Sequence, residues 1–315
     1  WMASLFAVLG MIAALTTGNL VQTNSIAEGI YHVWQVDPWI TGIVLSVLTG
    51  IVVLGGVKWI GHVASVLVPV MALLYIGAAC FILILNISYI PEAFNYIIHS
   101  AWNGQAAAGG FMGASLMMAI QMGVARSVFS NEAGLGISSI AAAAAKTDSP
   151  SRQALITMTG ALISTVIVCT MTGLVLAVTN VIGSTGHGGQ ILNGASLAIA
   201  AFNKHILGGE YIVTIGLILF AYTTVLAWSY YGEKCAEYLF GERSIMPFRL
   251  MFALVVIPGA ALKMEIAWSL ADISNGLMVI PNLIALIGLS GVIVKETQIF
   301  LERVKEEKRG PKAGS

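Results

Sequence analysis

Arg126-Ser127-Val128-Phe129-Ser130-Asn131-Glu132-Ala133-Gly134-Leu135-Gly136 interrupts a run, 109–145, that is otherwise apolar. An arginine and a glutamate stand there at membrane depth. Gly134 and Gly136 disfavour helix, and the serines and the asparagine compete for backbone hydrogen bonds. Beyond the interruption, Ile137 to Ala145 reads as a second short helix ending at Lys146. The pattern is that of a discontinuous membrane helix, whose unwound turn offers free carbonyls to a cation and free N–H groups to a carboxylate. An ordinary re-entrant loop is the alternative. Glu132 reads as a structural carboxylate paired with nearby N–H groups, or as a direct ligand for an amine or cation. Arg126 reads as snorkelling or pairing with an acid.

The rest of the chain supplies the membrane setting. Of 315 residues, 57% are hydrophobic and 10% charged, against roughly 25% charged in soluble domains. Mean hydropathy is +0.88. The 34 glycines suit close-packed membrane helices, where small residues let backbones approach. This composition excludes a soluble enzyme, a nucleic-acid binder, a disordered chain and a disulfide scaffold. Cys80, Cys169 and Cys235 stand singly in apolar runs and read as small core hydrophobes.

A helix crossing the ~30 Å hydrocarbon layer needs about 20 apolar residues. Eight stretches qualify: 2–25, 39–60, 63–87, 109–145 with its break, 158–181, 211–231, 249–261 and 277–294. The predicted class is all-α transmembrane. With Trp1 on the cytoplasmic side, inward loops and tail hold Lys58, Lys146, Arg152, Lys234, Arg243, Arg249, Lys295, Arg303, Lys305, Lys308, Arg309 and Lys312. Outward loops hold only Lys204 and Lys263. Cytoplasmic enrichment in Lys and Arg therefore predicts a multi-pass protein with both ends cytoplasmic. Two stretches, 90–102 and 196–206, mix apolar and polar positions and read as outer interfacial helices. The charged tail, 295–315, runs past Pro311 and Gly314 and reads as a fraying helix.

Two further polar concentrations accompany the break. Thr16-Thr17-Gly18-Asn19-Leu20-Val21-Gln22-Thr23-Asn24-Ser25 places seven polar side chains in ten positions. Gln22 there faces either a bundle interior or a polar ligand, with helix-end capping as the alternative. In Phe220-Ala221-Tyr222-Thr223-Thr224-Val225-Leu226-Ala227-Trp228, Thr224 and Trp228 share a helical face. The two threonine hydroxyls suit a small hard cation or bond back to their own helix. Gly288-Leu289-Ser290-Gly291 matches a GxSG string but lacks a later histidine, and His32, His62, His99, His187 and His205 fall in loops or span ends.

Phe129 to Gly136, followed by Ala141-Ala142-Ala143-Ala144-Ala145-Lys146-Thr147-Asp148, resembles the signature of the alanine or glycine:cation symporters. These are sodium-coupled carriers of the amino acid–polyamine–organocation group. Gly18 to Ser25, Val168-Cys169-Thr170-Met171-Thr172-Gly173-Leu174 and Trp228-Ser229-Tyr230-Tyr231-Gly232-Glu233-Lys234-Cys235 are similar to that family as well. The resemblance implies a leucine-transporter-type bundle of two inverted five-helix repeats. The eight spans then match core helices three to ten, and the first two core helices have no counterpart before Trp1, so the chain reads as a fragment. In those terms 1–87 is the remainder of the first repeat, 88–108 an external interfacial segment, 109–294 the second repeat, and 295–315 the cytoplasmic tail.

The same resemblance implies a substrate pocket drawn from Gln22, Phe129, Thr224 and Trp228, with Thr223 and Thr224 forming a partial sodium site. It implies import of alanine or glycine with sodium by alternating access at the plasma membrane. It calls for no cofactor beyond the coupling ion, no catalytic residues, and no partners other than substrate, sodium and the lipid bilayer. The alternative is a truncated, non-transporting membrane protein or scaffold.

Overall fold

A computed structural model of the chain describes residues 1–103, 112–186, 189 and 191–309. Position 109, where the fourth predicted span begins, His187, and the tail end with Pro311 and Gly314 lie outside the described residues. Those residues form helices α1 (Met2–Trp34), α2 (Pro38–Leu54), α3 (Val57–Leu85), α4 (Ile90–Asn103), α5 (Met112–Asn131) and α6 (Ser138–Ala143). They continue with α7 (Pro150–Val178), α8 (Gly194–Asn203), α9 (Gly209–Phe240), α10 (Ile245–Ala261), α11 (Met264–Gly288) and α12 (Ser290–Arg309). Beyond an isolated bridge between Thr185 and Ile191, no strand forms among the described residues.

The boundaries have local causes. α1 stops where Gln35 turns left-handed (φ 54°), and α2 opens with Pro38 at its first position and the Asp37 carboxylate accepting from the Trp39 N–H at 2.8 Å. α9 ends at Gly241, whose φ of 79° no bulky side chain adopts cheaply.

Among the described residues six helices are long and apolar enough to cross a bilayer, where the sequence predicted eight. The 17 residues of α2 reach roughly 26 Å at 1.5 Å per residue, short of the ~30 Å layer. The fourth predicted span is divided between α5 and α6. A larger revision concerns 277–294: the helix begins at Met264, and after a turn at Leu289 a separate helix starts at Ser290. Hydropathy locates this span late because Ser269, Asp272, Ser274 and Asn275 occupy its first half. Three of these meet other helices. Asp272 pairs with Arg126, and Thr16 and Thr17 donate to Ser274 and Asn275. The segment at 90–102 is helical within α4, and the one at 196–206 is helical as far as Asn203, the end of α8. α10 passes through Pro258 and starts at Ile245, earlier than predicted.

The long helix α9 is the axis of the core. Its Val225, Leu226 and Trp228 pack with Ala13, Ala14 and Ile26 of α1, Leu45 and Val53 of α2, and Phe252 and Val256 of α10. Small residues permit this approach. A side chain at Gly10 would meet Cys235, and one at Gly232 would meet Ala14 and Phe248. A second cluster joins Ile82 of α3, Val175 of α7, Phe202 of α8 and Val213 of α9. Outward faces stay apolar, as Ile40, Ile43, Val47 and Ile51 show on α2, because lipid replaces water as the solvent there. Only Cys235 is buried; Cys80 and Cys169 lie on exposed faces, contrary to the core reading.

Candidate functional site

The break predicted from the Gly-rich stretch is present. α5 ends at Asn131, Glu132 takes a left-handed backbone (φ 56°), Gly136 another (φ 78°), and helix resumes at Ser138. The turn is held from three sides. From α7, Thr165 donates to Asn131 Oδ1 at 2.8 Å. From α11, Asn282 Nδ2 donates to the carbonyls of Ala133 and Gly134 at 3.1 and 2.9 Å. From α9, Trp228 Nε1 donates to Glu132 Oε1 at 2.7 Å. Glu132 is thus a carboxylate paired with an N–H, the donor being an indole.

Trp228 is 1% exposed, and its indole lies directly on α1. A side chain at Gly18 would coincide with Trp228 Cβ and Cγ and come within 2.7 Å of Cδ2. Gly18 sits in a π-helical turn, Thr16–Leu20, inside α1, a local widening often found at functional sites. Gln22 follows one turn later, half-buried, its Nε2 on the Thr17 carbonyl at 3.3 Å.

The remaining predicted site residues are engaged elsewhere. Thr224 donates to the Phe220 carbonyl at 2.9 Å, and Thr223 to the carbonyls of Leu219 and Phe220 at 3.0 and 2.9 Å. Both hydroxyls therefore bond back to their own helix. Phe129 stacks on Trp268 of α11 at 5.1 Å and packs near Val21 and Ala271. Arg126 lies 4.3 Å over the same Trp268 ring and grips Asp272 with one nitrogen on both carboxylate oxygens. Beneath the break, toward the start of α1, a cleft of about 410 Å³ is lined by Phe6, Gly136, Ser139, Cys235, Pro281 and Asn282, among others.

The chain matches the family model described as the sodium:alanine symporter family over residues 1–313. It belongs to the sodium:alanine symporter family. It is 51% identical over 96% of its length to a protein of Methanococcus maripaludis named sodium/alanine symporter AgcS. It is 47% identical over 97% of its length to an uncharacterized transporter of Haemophilus influenzae. It is 34% identical over 98% of its length to a protein of Bacillus subtilis named probable sodium/glutamine symporter GlnT. The chain spans 65%, 66% and 63% of the length of these three relatives.

Within this member of the family, reasoning from sequence missed three residues that shape the break. Asn282 and Asp272 stand in α11 with no motif around them, although an amide and a carboxylate inside an apolar helix are signals in themselves. Gly18 looked like part of a polar run, while its contribution is the space it leaves for Trp228. Arg249, counted with the inner loops, lies inside α10, donating from Nε and Nη2 to Glu233 at 2.7 and 3.0 Å and from Nη1 to the Leu54 carbonyl at 3.2 Å.

Proposed function

We propose that the chain forms the greater part of a carrier that takes up alanine, glycine or a similar small neutral amino acid together with sodium. The observation that carries this reading is the broken turn at 132–136, joined through Glu132 to the buried Trp228 and through Trp228 to Gly18 of α1. It places unwound backbone where three helices meet, the kind of site at which carriers bind substrate and ion near the midplane. In this reading Trp228 and Phe129 bound a substrate pocket that excludes side chains larger than a methyl group. Gln22 exchanges its bond to the Thr17 carbonyl for one to the zwitterion's carboxylate or ammonium. Thr223 and Thr224 supply hydroxyls to sodium by turning away from their own-helix carbonyls, since threonine in a helix occupies two χ1 wells.

The fold in this proposal is the leucine-transporter-type inverted repeat, working by alternating access in the plasma membrane with both ends cytoplasmic. The twelve-to-two distribution of basic residues supports the orientation. A membrane potential of 100 mV supplies about 2.3 kcal/mol per coupled charge, close to fiftyfold accumulation per ion.

The test is uptake of labelled alanine, glycine and glutamine into proteoliposomes holding this chain under an inward sodium gradient. Uptake of alanine that disappears when the gradient is collapsed supports the proposal. Folded, correctly inserted protein that takes up none of the three refutes it for this polypeptide and leaves the non-transporting reading.

A further inference from the structure

The unwound turn makes few hydrogen bonds within itself. Leu135 and Gly136 N–H donate to the Glu132 carbonyl at 3.1 Å, and Gly136 N–H also reaches the Ala133 carbonyl at 3.1 Å. Among the described residues the donor to the Gly134 carbonyl is the side-chain amide of Asn282, at 2.9 Å. The same NH2 group uses its other hydrogen on the Ala133 carbonyl. One side chain of α11 therefore gives the Gly134 carbonyl its donor and the Ala133 carbonyl a second one.

The fit is reciprocal. A side chain at Gly136 would coincide with Asn282 Oδ1 and lie 2.6 Å from its Cγ, so glycine is needed there for room as well as for its positive φ. Asn282 also follows Pro281 directly. Proline cannot donate to the carbonyl four residues earlier, which weakens the helix at that turn and lets its two halves move. The grip on the break and the soft point of α11 are neighbours in the chain. On the other side of the turn, Leu135 and Ile137 are fully buried against α1 and α9, and Ile137 Cδ1 and Cys235 Sγ meet at Gly10.

We propose that Asn282 is a positioning residue. By holding the carbonyls of Ala133 and Gly134, it sets where Glu132 presents its carboxylate to Trp228 and keeps Leu135 and Ile137 seated over Cys235. Bending of α11 at Pro281 is thereby passed to the break. The consequence for substrate and ion rests on the transport reading; the seating of the turn does not.

The experiment compares the unaltered chain with Asn282→Asp in proteoliposomes. Asp is near in shape and turns the donor into an acceptor facing two carbonyl oxygens. Alkylation of Cys235 by a maleimide is followed peptide by peptide by mass spectrometry, so reaction at Cys80 and Cys169 does not interfere. Two lost hydrogen bonds at about 1 kcal/mol each open the turn some tenfold or more, and Cys235 in Asn282→Asp reacts faster by that factor. Over the same comparison the apparent KM for alanine rises about tenfold, and the thermal midpoint falls by only a few degrees. Equal Cys235 reactivity in the two proteins overturns the proposal. Faster alkylation in a preparation whose unaltered form takes up no alanine supports the positioning of the turn and refutes the transport reading. If Asn282→Asp fails to fold, Asn282→Ser, with a shorter single donor, carries the same comparison.

Discussion

Replacing Trp228 by phenylalanine removes the Nε1–H that donates to Glu132 at 2.7 Å while leaving an aromatic ring over Gly18. The donor is 1% exposed, so water has no ready path to replace it. A hydrogen bond to a charged group contributes about 1.5–3 kcal/mol and a neutral one about 0.5–1.5. Trp228→Phe loses the first quantity plus roughly 1 kcal/mol for the smaller ring's void. Glu132→Gln retains a neutral acceptor and loses only the difference. In the double variant neither bond exists, so the two effects are non-additive by about 1–1.5 kcal/mol, close to tenfold in an equilibrium constant. The assay is equilibrium unfolding of all four proteins in mixed micelles, with initial alanine uptake measured in parallel. Distant, independent sites add to within ~0.5 kcal/mol. Additivity at that level would mean that the indole and the carboxylate do not act on each other, and the joining of the break to α9 would fail with it.

Gly18→Ala puts a methyl on Trp228 Cβ itself, where no side-chain rotation gives relief; α1 and α9 part at a cost of about 1–3 kcal/mol, and an unchanged thermal midpoint refutes the close approach. Arg249→Met leaves Glu233, 3% exposed, without its partner, a loss of about 3–5 kcal/mol. Glu233→Gln in the same chain recovers part of it, and equal stability of the single and double variants counts against the buried pair. Trp228→Ala loosens size selection, so leucine competes with alanine for uptake; discrimination as sharp as before removes Trp228 from the pocket. Thr224→Val raises the sodium concentration for half-maximal uptake about tenfold and Thr224→Ser changes it little, whereas equal effects place the hydroxyl outside the ion's reach.

How much of this was legible depends on where each signal sits. The break at 132–136 was readable because glycine, asparagine and serine act on their own backbone, so the cue lies in the residues that change conformation. The span at 264–288 was not, because Asp272 and Asn275 stay in a regular helix and answer to partners more than a hundred residues away. A hydropathy window averages such residues with their neighbours and sees a loop. The polar run at 16–25 was half legible. Capping was offered as one account, yet the helix continues through it to Trp34 by widening into a π turn, a choice made by the packing of α9, α10 and α11 around it. Gly18 shows the limit most plainly, since what it contributes is the absence of a side chain opposite one particular indole.

Two kinds of polar residue inside these helices contrast, and the difference bears on which of them serve a ligand. Thr17, Asn19 and Asn24 are buried and bonded across to another helix: Thr17 to Asn275, Asn19 to the Phe252 carbonyl at 2.7 Å, Asn24 to the Leu262 carbonyl at 2.5 Å. Breaking such a bond unpairs groups on two elements at once, so these side chains fix the bundle and cannot turn to a passing substrate without loosening it. Gln22 and Thr224 are half-buried and bonded only to their own helix. A carbonyl in the helix ladder keeps its backbone donor when such a side chain leaves, so the exchange to a ligand costs little. Thr223 has the same own-helix bonds but is buried, with Met71 beside it, and its release requires α3 to give way. Within the threonine pair, Thr224 is therefore the hydroxyl that answers first to sodium, and Thr223 joins only when α3 and α9 separate.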